Sequence, residues 1–395
     1  MFTDDPRGKV LAVLLACATL TVMAGATIAP ALPGLQAHFD GVPGASAWVP
    51  LILTIPGLAI ALCSPIAGWL VDRSAKRRVL LVGVALYIAA GSSGLYLDSI
   101  GQILLGRILL GVSVACVMTA AMALIAGLYT DAERGQVLGY QAAAMSFGGV
   151  LFIMAGGFLA DVSWRAPFGV YLVPLLLFPL IFMLVPRGEP EVRATKDDGA
   201  PAESFPFARA SVIYVAAFAN FIVFYTIPLK LPFALNAMGV ESAALAGGAI
   251  ALLTLASGVV SPQFGKIRPL ATPQTIMAVS FGLVAIGFAV LAMLPSVPAI
   301  FALMVLIGAA SGVILPNVTT WLYSFVPPHM RGRAAGFVTM SVFTAQFLSA
   351  PMVAALESVG GLPLIYATAA AIALVAAGFY CILALQTPAV SAKTG

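Results

Sequence analysis

Gly68-Trp69-Leu70-Val71-Asp72-Arg73-Ser74-Ala75-Lys76-Arg77-Arg78 separates two long apolar runs. Before its charged part, Trp48 to Val71 carries no charged residue; after it, Val79 to Leu97 is again apolar. Four cations and one Asp fall within seven residues of a chain that is only 9% charged. Charges packed so densely cannot sit in hydrocarbon. The stretch therefore reads as a tight membrane-surface turn between two spanning helices. Taken alone, it could also be the positive anchor of any membrane protein.

Composition points the same way. At 61% hydrophobic residues and a mean hydropathy of +1.06, the chain exceeds a soluble domain, in which about half the residues are apolar. A bilayer core needs about 20 apolar residues per helix. About twelve stretches qualify: 10–34, 46–71, 79–97, 100–129, 134–160, 165–186, 210–235, 242–265, 274–294, 297–326, 332–357 and 362–385. Little chain remains for a soluble catalytic domain, and no Ser/His/Asp set, metal cluster or phosphate loop argues for an enzyme. No cofactor and no nucleic-acid partner is expected. Cys17, Cys63, Cys116 and Cys381 lie inside the predicted helices without metal or redox spacing. The polar start at Met1 to Lys9 leads directly into the first helix, which is expected to be retained.

The cations are sorted. With both termini in the cytoplasm and twelve alternating helices, all 19 except Arg107, Arg165 and Lys230 fall on the cytoplasmic side. That bias predicts the orientation, an even helix count and a place in the cell's inner (plasma) membrane. Between 187 and 208 the chain turns polar and should form a cytoplasmic linker. It would separate an N-terminal six-helix bundle (1–186) from a C-terminal one (209–395).

The two halves echo each other. Ser64-Pro65-x-x-Gly68 returns as Ser261-Pro262-x-x-Gly265, 197 residues on. Arg134-Gly135-x-x-x-Gly139-Tyr140 returns at the same offset as Arg331-Gly332-x-x-x-Gly336-Phe337, and Gly111 returns as Gly308. Thr27-Ile28-x-x-x-Leu32-Pro33 returns as Thr226-Ile227-x-x-x-Leu231-Pro232, at offset 199. The second half departs where charge matters: Asp72 maps onto Pro269 and Arg107 onto Met304.

Gly-x-Leu-x-Asp-Arg-x-x-x-Arg-Arg, with the repeat, resembles the signature loop of the major facilitator superfamily of secondary transporters. The resemblance covers nearly the whole chain. It implies twelve transmembrane helices in two pseudo-symmetric six-helix bundles, an all-α membrane fold. It also implies alternating access by a monomer to a small-molecule substrate in the lipid bilayer. Asp72, Arg73 and Arg77 or Arg78, with Gly68, would then form a cytoplasmic gate against Arg331 and Gly332 at the start of helix 11. Glu133 and Arg134 would extend it. A carboxylate at a helix N-terminus meets partial positive charge, although the same residues could be solvated charges worth under ~1 kcal/mol each.

Arg107-x-x-x-Gly111 resembles helix 4 of the drug:proton antiporters, where the Arg is tied to proton handling. An Arg at this depth could instead brace helix 4 against helix 1 carbonyls. Lys230, between Pro228 and Pro232, reads either as part of a gating bend or as a cation snorkelling to the outer surface. In helix 5, Gly139, Gly148, Gly156 and Gly157 fit the antiporter glycine pattern, but Phe152 and Ile153 replace its Gly-Pro pair. Packing through small residues explains the glycines equally well.

His38, Asp98, Asp161, Glu241 and Glu357 all fall at the predicted outer edge, so no mid-helix acid fixes where protons would bind. A proton gradient could still supply the energy, with the coupling site left open. Thr27, Gln141, Asn220, Tyr225, Asn317 and Gln346 are the polar candidates for the cavity. The expected function is a proton-coupled exporter (an antiporter in efflux) of amphipathic, drug-like or siderophore-like compounds. The alternative is uptake or facilitated transport of an anionic metabolite, since Arg107 and Lys230 have no buried acid to neutralise them, unless Asp161 or Glu357 folds inward to pair with Arg107.

Overall fold

A computed structural model describes residues 6–129, 131–186, 205–293, 296–327 and 330–386. Most of the expected linker lies outside these residues. Ten helical spans are α1 (Arg7–His38), α2 (Ala45–Arg73), α3 (Lys76–Leu95), α4 (Ile100–Leu128), α5 (Asp131–Val162), α6 (Ala166–Leu184), α7 (Phe207–Ala237), α8 (Ala243–Leu270), α9 (Pro273–Leu291) and α10 (Val297–Tyr323). The remaining helical run, Arg331–Gln386, has 56 residues. At 1.5 Å per residue it would be about 84 Å long, far more than one bilayer. Gly361 breaks it with a φ of 64°, a left-handed geometry that glycine adopts without penalty. The run is therefore two spans, α11 (331–360) and α12 (362–386), and the total is twelve.

Local chemistry shapes several helices. Pro30 and Pro33 supply no N–H, and α1 changes after Ala26 into a 3-10 turn at Ala29–Ala31 before resuming at Leu32. The Thr27 hydroxyl donates to Met23 O at 2.9 Å, and its counterpart Thr226 does the same to Ile222 O at 3.2 Å. The repeat thus carries local chemistry as well as hydropathy. In α6 the first eleven residues, Ala166–Leu176, are 3-10 rather than the regular helix expected. In α3 the helix begins at Lys76, so Lys76, Arg77 and Arg78 form its first turn and only Ser74 and Ala75 link it to α2.

The helices alternate between two faces. Arg7, Lys9, Leu128, Tyr129, Leu184 and Pro186 surround one cavity, which gathers the chain start and the ends of α4 and α6. The α2–α3 turn joins them, because Arg77 donates to Phe182 O near the end of α6. This is the basic face. Pro30, Gly34, Asp161, Trp164, Asn236 and Ser242 surround a cavity on the opposite face.

The two halves pack by the same rule. A Cβ on Gly111 would lie 2.5 Å from Pro56 O and 2.6 Å from Ala59 Cβ. One on Gly308 would collide with Leu253 O and come 3.1 Å from Ala256 Cβ. Each residue of the second set stands 197 positions after its counterpart. So α4 touches α2, and α10 touches α8, at a point where only glycine lets the backbones approach. Gly308→Val should cost about 1–3 kcal/mol through forced separation, read as a fall of several degrees in the Tm of the detergent-purified protein. Gly332→Ala meets nothing within 4 Å and should cause no fall.

Candidate functional site

The halves meet along two seams. In the first, α5 and α8 run antiparallel. At the far end of α5, Asp161 Oδ1 accepts from Ala243 N at 2.6 Å, while Oδ2 accepts from Ala244 N and Ser242 Oγ, both at 3.3 Å. A carboxylate here satisfies N–H groups that a helix start leaves open and complements its dipole. Further along, a Cβ on Gly157 would lie 2.9 Å from Ala243 O, and one on Gly258 would lie 2.7 Å from Ser146 Cβ. Toward the basic face the seam opens: Gly139 meets nothing within 4 Å.

The second seam, α2 against α11, behaves alike. A Cβ on Gly57 would lie 2.9 Å from Phe343 O and 3.1 Å from Gln346 Cδ, whereas Gly68, Gly332 and Gly336 meet nothing within 4 Å. Both seams are closed from the far face to mid-membrane and open at the basic face. In the opened half lies a cavity of about 720 Å³, walled in part by Pro65, Met118, Met122, Gln141, Phe337 and Met340.

Near mid-membrane, three helices converge. A Cβ on Gly25 of α1 would be 3.2 Å from Tyr225 Oη of α7 and 3.4 Å from Gln346 Nε2 of α11. Tyr225 stacks on Phe221 at 6.3 Å between ring centres. Gln141 Oε1 and Asn220 Oδ1 are buried without a hydrogen-bond partner among the described residues. Of the polar candidates, Tyr225, Gln346 and Gln141 thus stand at the seams or the cavity between the halves. Two candidates do not. Asn317 donates to Pro273 O at 2.8 Å, tying α10 to α9. Thr27 is fully buried, with its carbonyl against Gly156 of α5.

The cations are placed differently from the expectation. Arg107 is fully buried within the N-terminal half. Its Nε donates to Ile52 O at 3.0 Å, and its Nη2 donates to Ala24 O at 2.6 Å and Tyr171 Oη at 2.9 Å. The Tyr171 ring lies 4.8 Å from the guanidinium. This is the geometry of a brace joining α4 to α1, α2 and α6. Neither Asp161 nor Glu357 reaches it. Lys230 does not snorkel: its side chain is 2% exposed, and α7 continues as helix through Pro228 and Pro232. Its Nζ contacts Glu357 Oε2 at 2.5 Å and lies 4.6 Å from the centre of the Phe233 ring. The expectation that Lys230 lacks a neutralising acid is therefore corrected. A lysine so deeply buried needs a partner, and the sequence concealed it 127 residues away on α11.

Among the described residues, Asp72 and Arg331 of the expected basic-face gate do not pair. Asp72 is exposed and forms no hydrogen bond or ion pair among the described residues. Arg331 instead donates to Tyr323 O at 3.4 Å, with its guanidinium 5.5 Å from the Tyr323 ring centre. Arg73 lies over Trp69 of its own helix at 4.5 Å. Arg77 turns to Phe182 of α6, inside its own half, and Arg78 is exposed. Glu133 is exposed at the start of α5; the side chain of Arg134 lies outside the described residues. Sequence reasoning passed over Asp161 as an edge residue. Its signal was present in Gly156-Gly157 just before it and in Ser242, which caps α8 by accepting from Leu245 N at 3.3 Å.

Comparison with known proteins agrees with this architecture. The sequence profile of the Major Facilitator Superfamily matches residues 14–272. The chain belongs to that superfamily of membrane transporters. It is 32% identical over 197 residues to the puromycin resistance protein pur8 of Streptomyces alboniger, covering 49% of this chain and 39% of that one. It is 36% identical over 132 residues to multidrug resistance protein 1 of Bacillus subtilis, covering 32% and 33% of the two chains. The chain thus matches little more than a third of the length of these relatives. Among solved structures, a bacterial homolog of the human lysosomal transporter Spinster, in an inward-facing and occupied conformation, superposes with a TM-score of 0.78. The superposition covers 98% of both chains at 16% identity, which speaks for the fold alone.

The Lys230–Glu357 contact makes a quantitative prediction. Glu357→Gln strands a buried ammonium and should lower stability by about 3 kcal/mol, at the lower end for a broken buried pair because the carboxylate is part-exposed. Adding Lys230→Met should restore much of the loss. Thermal unfolding of the two single variants and the double variant checks it; additive losses would contradict the pairing.

Proposed function

We propose that the chain is a secondary transporter that exports small amphipathic organic molecules by alternating access, driven by a proton gradient. The observation that carries this reading is the 720 Å³ cavity between the halves. Its walls bring together Met118, Met122, Met340 and Phe337, with Thr119 and Gln141 as polar points. Methionine is unbranched and polarisable, so such a wall adapts to apolar bodies of different shapes. Similarity to proteins named for puromycin and multidrug resistance supports the same class of substrate.

Positive-inside sorting makes the basic face cytoplasmic, so the described conformation is inward-open in this reading. The Asp161 contact then holds the outer face shut. In the opposite state the basic ends come together, and Asp72 approaches the start of α11 near Arg331 and Gly332.

The charge of the substrate follows from Arg333. It is the one charged residue among the described residues that line the cavity, and its guanidinium lies 5.5 Å from the Phe205 ring centre and 6.0 Å from that of Phe337. An exposed cation on the cavity wall favours an anionic or zwitterionic group. That preference, first expected from Arg107 and Lys230, now rests on Arg333. It also favours the second reading, transport of an anionic metabolite.

The test is transport in inside-out vesicles under an imposed pH gradient, with amphiphiles matched in size but opposite in charge. The expected result is gradient-driven accumulation that prefers the anionic member. Arg333→Gln should reduce that preference about tenfold or more, the worth of a charge-assisted hydrogen bond. Accumulation indifferent to the gradient would contradict the antiport, and a wild type that prefers cations would contradict the substrate class.

A further inference from the structure

The start of α3 presents an electrostatic problem that the transport reading does not use. The first turn of a helix exposes unpaired N–H groups and partial positive charge, which an acidic side chain normally complements. Here Lys76, Arg77 and Arg78 occupy that turn, no acid lies in it, and the N-cap Ala75 has no side chain to accept. Three cations therefore add to the dipole instead of opposing it.

Next to this turn lies a cavity of about 280 Å³, lined by Ala75, Arg77, Arg78, Leu81 and Phe182. It is separate from the cavity between the halves and sits between the start of α3 and the end of α6. Arg77 is 8% exposed. Its Nη2 donates to Phe182 O, and its guanidinium lies 4.9 Å from the Phe182 ring centre. Its Nε is buried with no hydrogen-bond partner among the described residues. A buried guanidinium N–H without an acceptor is costly. An acceptor in the cavity that Arg77 and Arg78 line would balance the turn's charge. Arg78, exposed on the same wall, offers a second guanidinium. The other wall is apolar, and Phe182 and Val82 beside it are 53% and 69% exposed on the helix surfaces.

We infer that this cavity is a binding site for the phosphate of an anionic membrane phospholipid. The phosphate would accept from the guanidinium groups of Arg77 and Arg78, near the N–H groups of the first turn of α3. The acyl chains would lie along the apolar surface beside Leu81, Val82 and Phe182. Planar guanidinium donors match phosphate oxygens, and basic pockets between spanning helices at a membrane face suit anionic headgroups. A free phosphate shares the polar chemistry but makes no use of the apolar wall.

The probe is phosphatidylglycerol, with phosphatidylcholine of the same acyl chains and inorganic phosphate as comparators. Each is titrated into the full-length protein in detergent and read by native mass spectrometry. The expected result is a bound phosphatidylglycerol retained over phosphatidylcholine, weakened by added salt and not displaced by excess phosphate. Arg77→Gln with Arg78→Gln should weaken its binding roughly tenfold or more. Leu81→Trp keeps every charge, fills the cavity and should also displace the lipid. Should the double variant fail to fold, this variant decides alone. Equal retention of the two lipids, or phosphatidylglycerol binding unchanged in either variant, would overturn the inference. Displacement of the lipid by inorganic phosphate would overturn it in favour of a free-anion site.

Discussion

Hydrocarbon offers no hydrogen bonds, so each polar group that enters it must find its partner within the protein. That constraint explains where several of the buried polar groups sit. Arg107 takes carbonyls from α1 and α2 and the hydroxyl of Tyr171. Tyr87 donates to Leu20 O at 2.9 Å, joining α3 to α1. Tyr380 donates to Val212 O at 2.5 Å, joining α12 to α7. Lys230 takes Glu357. These contacts lie within one half or the other, and they make each half a unit that can move without breaking its own bonds.

Between the halves the chemistry is different. The seams are built largely from small residues: Gly157 against Gly247, Ser146 against Gly258, Gly57 against Phe343 O. Smooth, close surfaces of this kind gain dispersion contact and lose it in small steps when the helices part. The polar element added at the far end is Asp161 on the start of α8, a contact to backbone N–H groups and one hydroxyl. A rigid half on each side, a small-residue seam and one carboxylate latch are the parts that a rocking transporter requires.

The twelve spans, the fold and the pseudo-repeat were legible in the sequence because the bilayer imposes length and hydropathy directly. The repeat also located Gly111 and Gly308 correctly as equivalent positions. Side-chain partnerships were less legible. Glu357 looked like an edge residue, and only the packing of α11 on α7 brings it to Lys230. Arg107 is buried within α4, but its position along the helix did not say whether it faced a cavity or its own half. Arg77 and Arg78 were grouped with Asp72 through the resemblance to the signature loop. Yet the short Ser74-Ala75 link puts them on a new helix, where Arg77 turns to α6. Asn317 and Thr27 show a further limit: a polar residue in a span can serve the helix packing and never see the pathway.

The central claim is that the two halves pivot about a middle contact near Gly25, Tyr225 and Gln346, so that opening one face closes the other. Distances between spin labels in reconstituted protein test it directly. One pair is placed across the basic face, at Ser74 and Ser324, and another across the far face, at Asp40 and Glu241. The claim predicts that conditions which shorten the basic-face distance lengthen the far-face distance in the same population of molecules. Two distances that change in the same direction, or a basic-face distance that never changes, would contradict it.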